Sequence, residues 1–153
     1  APVWSMLSLG MAPALGTDGS ASNNATSIFR EMYLYSCLQK ETMKDASAVS
    51  AEEALLAATV NGYGALGFNG GSVEPGKCAD LVLLDLSQPS MRPLSNVKKN
   101  VVYSADTSEV VMTVAGGKII YERETYSIGE PLEKIYSECE KRVARLLSES
   151  NFT

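Results

Sequence analysis

Histidine is absent from the 153 residues of this chain. That absence removes the commonest general base near neutral pH and the commonest metal ligand from anything the chain does unaided. Cysteine is scarce, and Cys37, Cys78 and Cys139 lie far apart. Such a set makes neither a disulfide framework nor a zinc knuckle, and it predicts reduced, buried thiols in a cytoplasmic protein.

Long apolar runs and basic clusters are missing too. No apolar run approaches the roughly 20 residues that span a membrane. The net charge is −5, and the 13 lysines and arginines are scattered, whereas a nucleic-acid-binding surface needs a basic stripe. We therefore expect no membrane partner and no nucleic-acid partner.

The first 15 residues are apolar, yet no basic residue occurs before Arg30. The charged region that begins a signal peptide is therefore missing. The chain also does not begin with methionine. We expect its start to be a cut inside a longer protein.

What is present is typical of a globular domain, with 45% hydrophobic and 20% charged residues. The spacing of apolar residues predicts an α/β half followed by a mainly antiparallel β half. The predicted helices cover residues 3–9, 27–40, 51–66 and 131–153, and the predicted strands cover residues 11–15, 81–84, 101–103, 110–115 and 118–122.

Local signals fix several element ends. Ser50 and Glu53 predict a capping box at a helix start, and Gly67 predicts a helix stop. Gly116 and Gly117 predict a two-residue hairpin turn, because glycine tolerates the positive φ that such turns need. The stretch Gly62–Gly67 fits a dinucleotide-binding fingerprint but lies at a helix end, so we interpret it as close helix packing at Gly62.

Two motifs bear on chemistry. Gly16–Gly19 places one carboxylate, Asp18, between glycines at the end of a predicted buried strand. In parallel α/β barrels, catalytic groups gather at that end of the strands. The alternative is an ordinary Asp-Gly turn or a helix cap. The second motif, Gly71–Val82, is by itself a turn that leads into a strand.

Together these motifs resemble the amidohydrolase superfamily, most closely the branch that holds methylthioadenosine/S-adenosylhomocysteine deaminases and related chlorohydrolases. In that branch a Gly-Thr-Asp-Gly stretch followed by Ser-Asn-Asn ends the last barrel strand, similar to Gly16–Asn24. The signature Gly-x-x-x-x-Gly-Lys-x-Ala-Asp-Leu-Val is matched by Gly71–Val82, and a hairpin ending in Gly-Lys is matched near Val111–Lys118. The resemblance covers nearly the whole chain.

The resemblance implies an α/β fold made of the C-terminal end of a TIM-like (β/α)8 barrel and the C-terminal part of a small β-sandwich domain. The expected division is residues 1–68 for the barrel end, 69–130 for the sandwich strands and 131–153 for a C-terminal helix. In the complete enzyme, the N-terminal region supplies the rest of the sandwich.

The implied function is hydrolytic deamination of an adenine-type nucleoside at one divalent metal, with zinc preferred and iron as the alternative. Asp18 matches the aspartate that binds this metal and moves a proton from water to the leaving group. A small-molecule substrate and a homo-oligomer are expected. Two alternatives stay open: a chlorohydrolase or other C–N hydrolase on the same scaffold, or a non-catalytic scaffold or binding protein.

The chain also departs from the family pattern. The metal-binding histidines and the His and Glu near the substrate all lie upstream of the segment that this chain matches. We therefore expect the isolated chain to be inactive and to hold no cofactor. Pro13 stands inside the predicted strand and removes a ladder hydrogen bond there. Ser20 and Asn23 lie near Asp18, but no role is assigned to them.

Overall fold

A computed structural model describes residues 1–149 as a mixed α/β chain. None of the helices in this range is both long enough and apolar enough to cross a membrane. The elements are α1 (Val3–Ser8), α2 (Ile28–Met43), α3 (Ala51–Ala58), α4 (Val60–Leu66), β1 (Leu81–Leu84), α5 (Val97–Tyr103), β2 (Val110–Ala115), β3 (Lys118–Glu122), β4 (Thr125–Tyr126) and α6 (Leu132–Glu149), with 3₁₀ turns at Pro89–Met91 and Thr107–Glu109.

The core lies where α2, α3 and α5 meet. Met32, Ala54, Ala57 and Val102 are all buried there. Alanine on α3 lets the neighbouring helices approach closely, while Met32 and Val102 fill the space between them. The predicted capping box fixes the start of α3: the Ser50 hydroxyl accepts from the Glu53 amide at 3.2 Å, and the Glu53 carboxylate accepts from the Ser50 amide at 2.7 Å.

Residues 101–103 were predicted as a strand, and that prediction is wrong. They form the last turn of α5. This helix is capped by Asn96, whose side-chain oxygen accepts from the Lys99 amide at 3.0 Å. Burial of Val102 against α2 and α3 outweighs the β propensity of a valine pair. At the end of the helix, the Tyr103 hydroxyl lies 2.8 Å from the Ser36 hydroxyl and accepts from Lys40 at 2.7 Å.

The predicted strand at residues 11–15 is also wrong within the described chain. Instead of a strand ladder, the segment makes two separate contacts with the helical layer. The Leu15 amide donates to the Ala57 carbonyl at 2.8 Å, and the Asn61 side chain donates to the Pro13 carbonyl at 2.9 Å. Proline has no N–H to offer a neighbouring strand, so the segment follows α3 and α4.

The helix predicted for residues 51–66 is interrupted at Thr59, where φ is −131° and ψ is −92°. Its predicted stop at Gly67 is confirmed, with φ at +71°. Close packing at Gly62 is not found, because a β-carbon there would meet nothing within 4 Å. The tight approach lies farther on, where a β-carbon on Gly71 would stand 2.7 Å from the Val60 α-carbon.

Strands β1 to β4 form one antiparallel sheet in the order β1-β2-β3-β4. The predicted β2–β3 hairpin is confirmed, since Gly116 and Gly117 have φ values of +55° and +77°. A second sheet, which the expected sandwich needs, is not part of residues 1–149. The described chain therefore has a single sheet beside a helical layer.

Helix α6 follows Pro131 as predicted. Its apolar stripe is mostly exposed: Tyr136, Val143 and Leu147 are 58%, 54% and 63% exposed. The last four residues of the predicted segment, 150–153, lie outside the described residues.

Candidate active site

Asp18 lies in an exposed loop and has the left-handed φ of +58°. One carboxylate oxygen accepts from the Gly19 amide at 2.7 Å, and the other accepts from the Ser22 hydroxyl at 2.9 Å. These two hydrogen bonds favour the charged form, so they hold the pKa of Asp18 below its usual value. The group is therefore an ionised carboxylate at neutral pH, with lone pairs left for a metal or a proton.

The rest of the loop is organised by a residue to which the sequence assigned no role. The Asn23 side chain donates to the Thr17 carbonyl at 2.9 Å and to the Glu31 carboxylate at 2.7 Å. Ser20, the other neighbour named from the sequence, is exposed in a turn. Ser22 and Glu31 are additions from the structure; the only sequence signal for them is a cluster of small polar residues before a helix.

The expected divalent metal needs several protein ligands in one place. Catalytic zinc is normally held by three protein ligands plus water. Among residues 1–149, no group of three histidine, cysteine, aspartate or glutamate side chains could hold a metal ion. These residues do not fit a complete metal site on their own, and Asp18 can supply at most one ligand of such a site.

A groove of about 700 Å³ separates the sheet from helices α2 to α4. Its walls are mainly apolar and include Phe29, Met32, Leu55, Val82 and Val114. Asp18 is not among the lining residues. The groove therefore lies apart from Asp18.

Asp80, from the second motif, joins three parts of the fold at the edge of this groove. Its carboxylate accepts a hydrogen bond from the Tyr63 hydroxyl on α4 and another, at 2.5 Å, from the Gly116 amide in the β2–β3 turn. The bond to Asp80 raises the pKa of Tyr63 to about 12. The same bonds, first from Tyr63 and then from Gly116, lower the pKa of Asp80. The motif thus links α4, β1 and the hairpin.

This link predicts that the stability of the fold decreases at both high and low pH. Because the pKa of Tyr63 is raised in the folded chain, its contribution to stability is complete below pH 10.0, its ordinary pKa, and is lost as the pH rises through about 12. Because the pKa of Asp80 is lowered, its contribution is present above the ordinary aspartate pKa of 3.8 and is lost as the pH falls through the lowered value.

We expect Asp80→Asn to bring the pKa of Tyr63 from about 12 back towards 10.0, because a neutral amide no longer opposes loss of the phenol proton. Ultraviolet titration of tyrosinate would measure the change, and Tyr63→Phe would assign it. Asp85→Asn is the matched control, since the Asp85 carboxylate is held by Ser87 rather than by a tyrosine. Identical titrations for the Asp80 and Asp85 variants would contradict the assignment.

Comparison with known proteins places this geometry in a family. The amidohydrolase family model matches residues 1–120. The chain is 41% identical over 152 residues to 5-methylthioadenosine/S-adenosylhomocysteine deaminase from Dictyoglomus thermophilum, a match that covers 98% of this chain and 35% of the relative. The chain belongs to the amidohydrolase family and spans about a third of the length of this relative.

Solved structures agree with that assignment. An adenosine deaminase from Xanthomonas campestris with bound zinc superimposes with a TM-score of 0.91 at 32% identity, covering 97% of this chain and 34% of that protein. Atrazine chlorohydrolase from Arthrobacter aurescens, complexed with zinc, superimposes with a TM-score of 0.82 at 23% identity, covering 92% and 32%. The second likeness concerns the fold alone. The predicted family resemblance is therefore confirmed.

Proposed function

We propose that this chain is the C-terminal third of a metal-dependent aminohydrolase that deaminates an adenine-type nucleoside, such as methylthioadenosine or S-adenosylhomocysteine. The complete polypeptide is the parent enzyme. The observation that carries the proposal is Asp18, an exposed, ionised carboxylate within the segment that matches the deaminases. The names of the similar deaminases support the adenine-type substrate.

The expected division of the chain becomes part of this proposal. Residues 1–68 complete the barrel, residues 69–130 complete the small sandwich domain, and the segment that follows, from residue 131, begins the terminal helix α6 (Leu132–Glu149). The end of α4 at Gly67 and the first strand at Leu81 support a boundary between them. The groove and the free edge of β1, which pairs only with β2 within residues 1–149, are where strands from the missing region would pack.

The reaction adds water to the ring carbon that carries the amino group and releases ammonia. Asp18 accepts a proton from the attacking water and passes it to the departing nitrogen, a role that suits a carboxylate ionised at neutral pH. A divalent metal, zinc or iron, would lower the pKa of water when bound. Asp18 would be one ligand of that metal, and the histidine ligands would come from the preceding part of the parent enzyme.

Ammonia release from the purified parent enzyme tests the proposal. We expect turnover of methylthioadenosine and S-adenosylhomocysteine, while a chlorinated triazine releases no chloride. Chloride release without ammonia would favour the chlorohydrolase alternative. A folded parent enzyme that retains its metal and is inactive on every compound would favour the non-catalytic alternative. The prediction of a cytoplasmic homo-oligomer is kept alongside the proposal and is tested separately by fractionation and light scattering.

A further inference from the structure

Asn23 forms hydrogen bonds to the backbone on both sides of Asp18. Its side-chain nitrogen donates to the carbonyl of Thr17, just before Asp18, at 2.9 Å. Its backbone nitrogen donates to the carbonyl of Gly19, just after Asp18, at 3.0 Å. The two hydrogen bonds hold the residues immediately before and after Asp18. A movement of Asp18 relative to Asn23 would therefore lengthen at least one of them.

Asp18 needs such support because its φ of +58° is left-handed. Residues with a β-carbon adopt that conformation at a steric cost, and it persists only where the surroundings hold it. The bonds to Gly19 and Ser22 lie within the loop itself and do not tie the loop to the rest of the fold.

Glu31 supplies that tie. Its carboxylate accepts the second N–H of the Asn23 amide at 2.7 Å. Glu31 lies in the first turn of α2, whose neighbouring residues Phe29 and Met32 are buried in the core. The remaining group of the amide, the oxygen of Asn23, accepts from the Ala25 amide at 3.1 Å. One residue, Asn23, therefore connects α2 to both flanks of Asp18: its side chain bonds to Glu31 and Thr17, and its backbone nitrogen bonds to Gly19.

We propose that Asn23, anchored by Glu31, is a positioning residue that sets the direction of the Asp18 carboxylate in catalysis. This inference rests on the proposed function, in which Asp18 handles the proton. Asparagine suits the task because it has two N–H donors and one acceptor, and all three are used here. Aspartate has the same shape but cannot donate, and it would bring a second negative charge beside Glu31.

The first test compares Asn23→Asp with Asn24→Asp in the parent enzyme. Both variants change the charge equally, but Asn24 is exposed and its side chain makes no hydrogen bond to residues 1–149. We expect Asn23→Asp to lower kcat roughly 10- to 100-fold, as misplaced catalytic groups do. KM should change little, because Asp18 acts on the reacting atoms. Asn24→Asp should behave as the unchanged enzyme.

Substitutions at Glu31 test the anchor. Glu31→Gln keeps an oxygen that accepts from Asn23, so it should retain kcat within a few-fold. Glu31→Leu removes the acceptor and should resemble Asn23→Asp. If Glu31→Gln were as slow as Glu31→Leu, the negative charge and not the hydrogen bond would matter, and the positioning role would be wrong.

Hydrogen exchange gives a readout that does not depend on turnover. In the parent enzyme, peptides that cover residues 16–24 should exchange on the order of tenfold faster in Asn23→Asp than in Asn24→Asp. Peptides from α3 should be unchanged, which excludes a general loss of structure. Equal exchange in the two variants, or faster exchange with an unchanged kcat, overturns the inference. A parent enzyme that deaminates nothing would instead overturn the proposed function, while the exchange comparison would still decide whether Asn23 holds the loop.

Discussion

Asp18→Asn should reduce deamination by the parent enzyme by roughly 10²- to 10⁴-fold, the usual contribution of a general acid–base group. The substitution keeps the size of the side chain, and an amide oxygen can still accept from Gly19 or Ser22. It removes the negative charge that binds a metal and the basic oxygen that accepts a proton. Turnover should therefore fall while the fold stays intact.

The control for this prediction is Asp45→Asn. Asp45 is also an exposed loop carboxylate whose pKa is lowered by hydrogen bonds from the side chain and backbone of a serine, Ser47. It is chemically close to Asp18 but lies at the far end of α2. Kinetics, circular dichroism and metal content should be measured for both variants. Activity of the Asp18 variant within a few-fold of the Asp45 variant would remove Asp18 from the mechanism.

Elements with strong local signals were predictable from the sequence. The reciprocal hydrogen bonds of Ser50 and Glu53 join residues that are three apart in the sequence. The amino-acid sequence alone therefore indicates the start of α3. The turn at Gly116 and Gly117 likewise depends on what glycine can adopt, and both positions have positive φ as expected. In each case the structural cause lies within a few residues of the signal.

Elements that depend on distant partners were not predictable in the same way. Val101 and Val102 favour a strand by propensity, but contact with α2 and α3, some 50 to 70 residues away, decides for a helix. Residues 11–15 have the apolar content of a buried strand, yet Leu15 and Pro13 bond to α3 and α4.

The same distinction between local signals and distant contacts applies to the candidate site. Asp18 could be found because glycines on both sides mark an unusual backbone and because the family motif surrounds it. The support from Asn23 and Glu31 could not, since it appears only when the loop folds back onto the first turn of α2. Eight residues separate these two side chains, and no periodic pattern relates them.

The isolated chain should self-associate. Within residues 1–149, β1 pairs on one side only, and the unpaired backbone of an edge strand is a template for further pairing. Apolar side chains accompany this edge, since Val82 and Leu83 are 55% and 44% exposed. The stripe of α6 and the walls of the groove add more apolar surface, and large exposed patches of this kind bind partners. Pairing between two copies would cover several of these surfaces together.

Light scattering after size-exclusion chromatography, together with binding of a hydrophobic dye, would test this. The unchanged chain should elute as oligomers or aggregates that bind the dye. Val82→Lys should shift it towards the monomer, because a lysine on an edge strand opposes pairing with another strand. Leu9→Lys is the matched control. Leu9 is 79% exposed and follows α1, which packs against α2 and is not part of the sheet, so the same substitution there should leave the oligomers in place.

A compact, cooperatively unfolding monomer that binds no dye would mean that these residues form a self-sufficient domain. The groove would then be a finished surface of that domain, and the proposed place for strands of the parent enzyme would be wrong even though the family assignment stands.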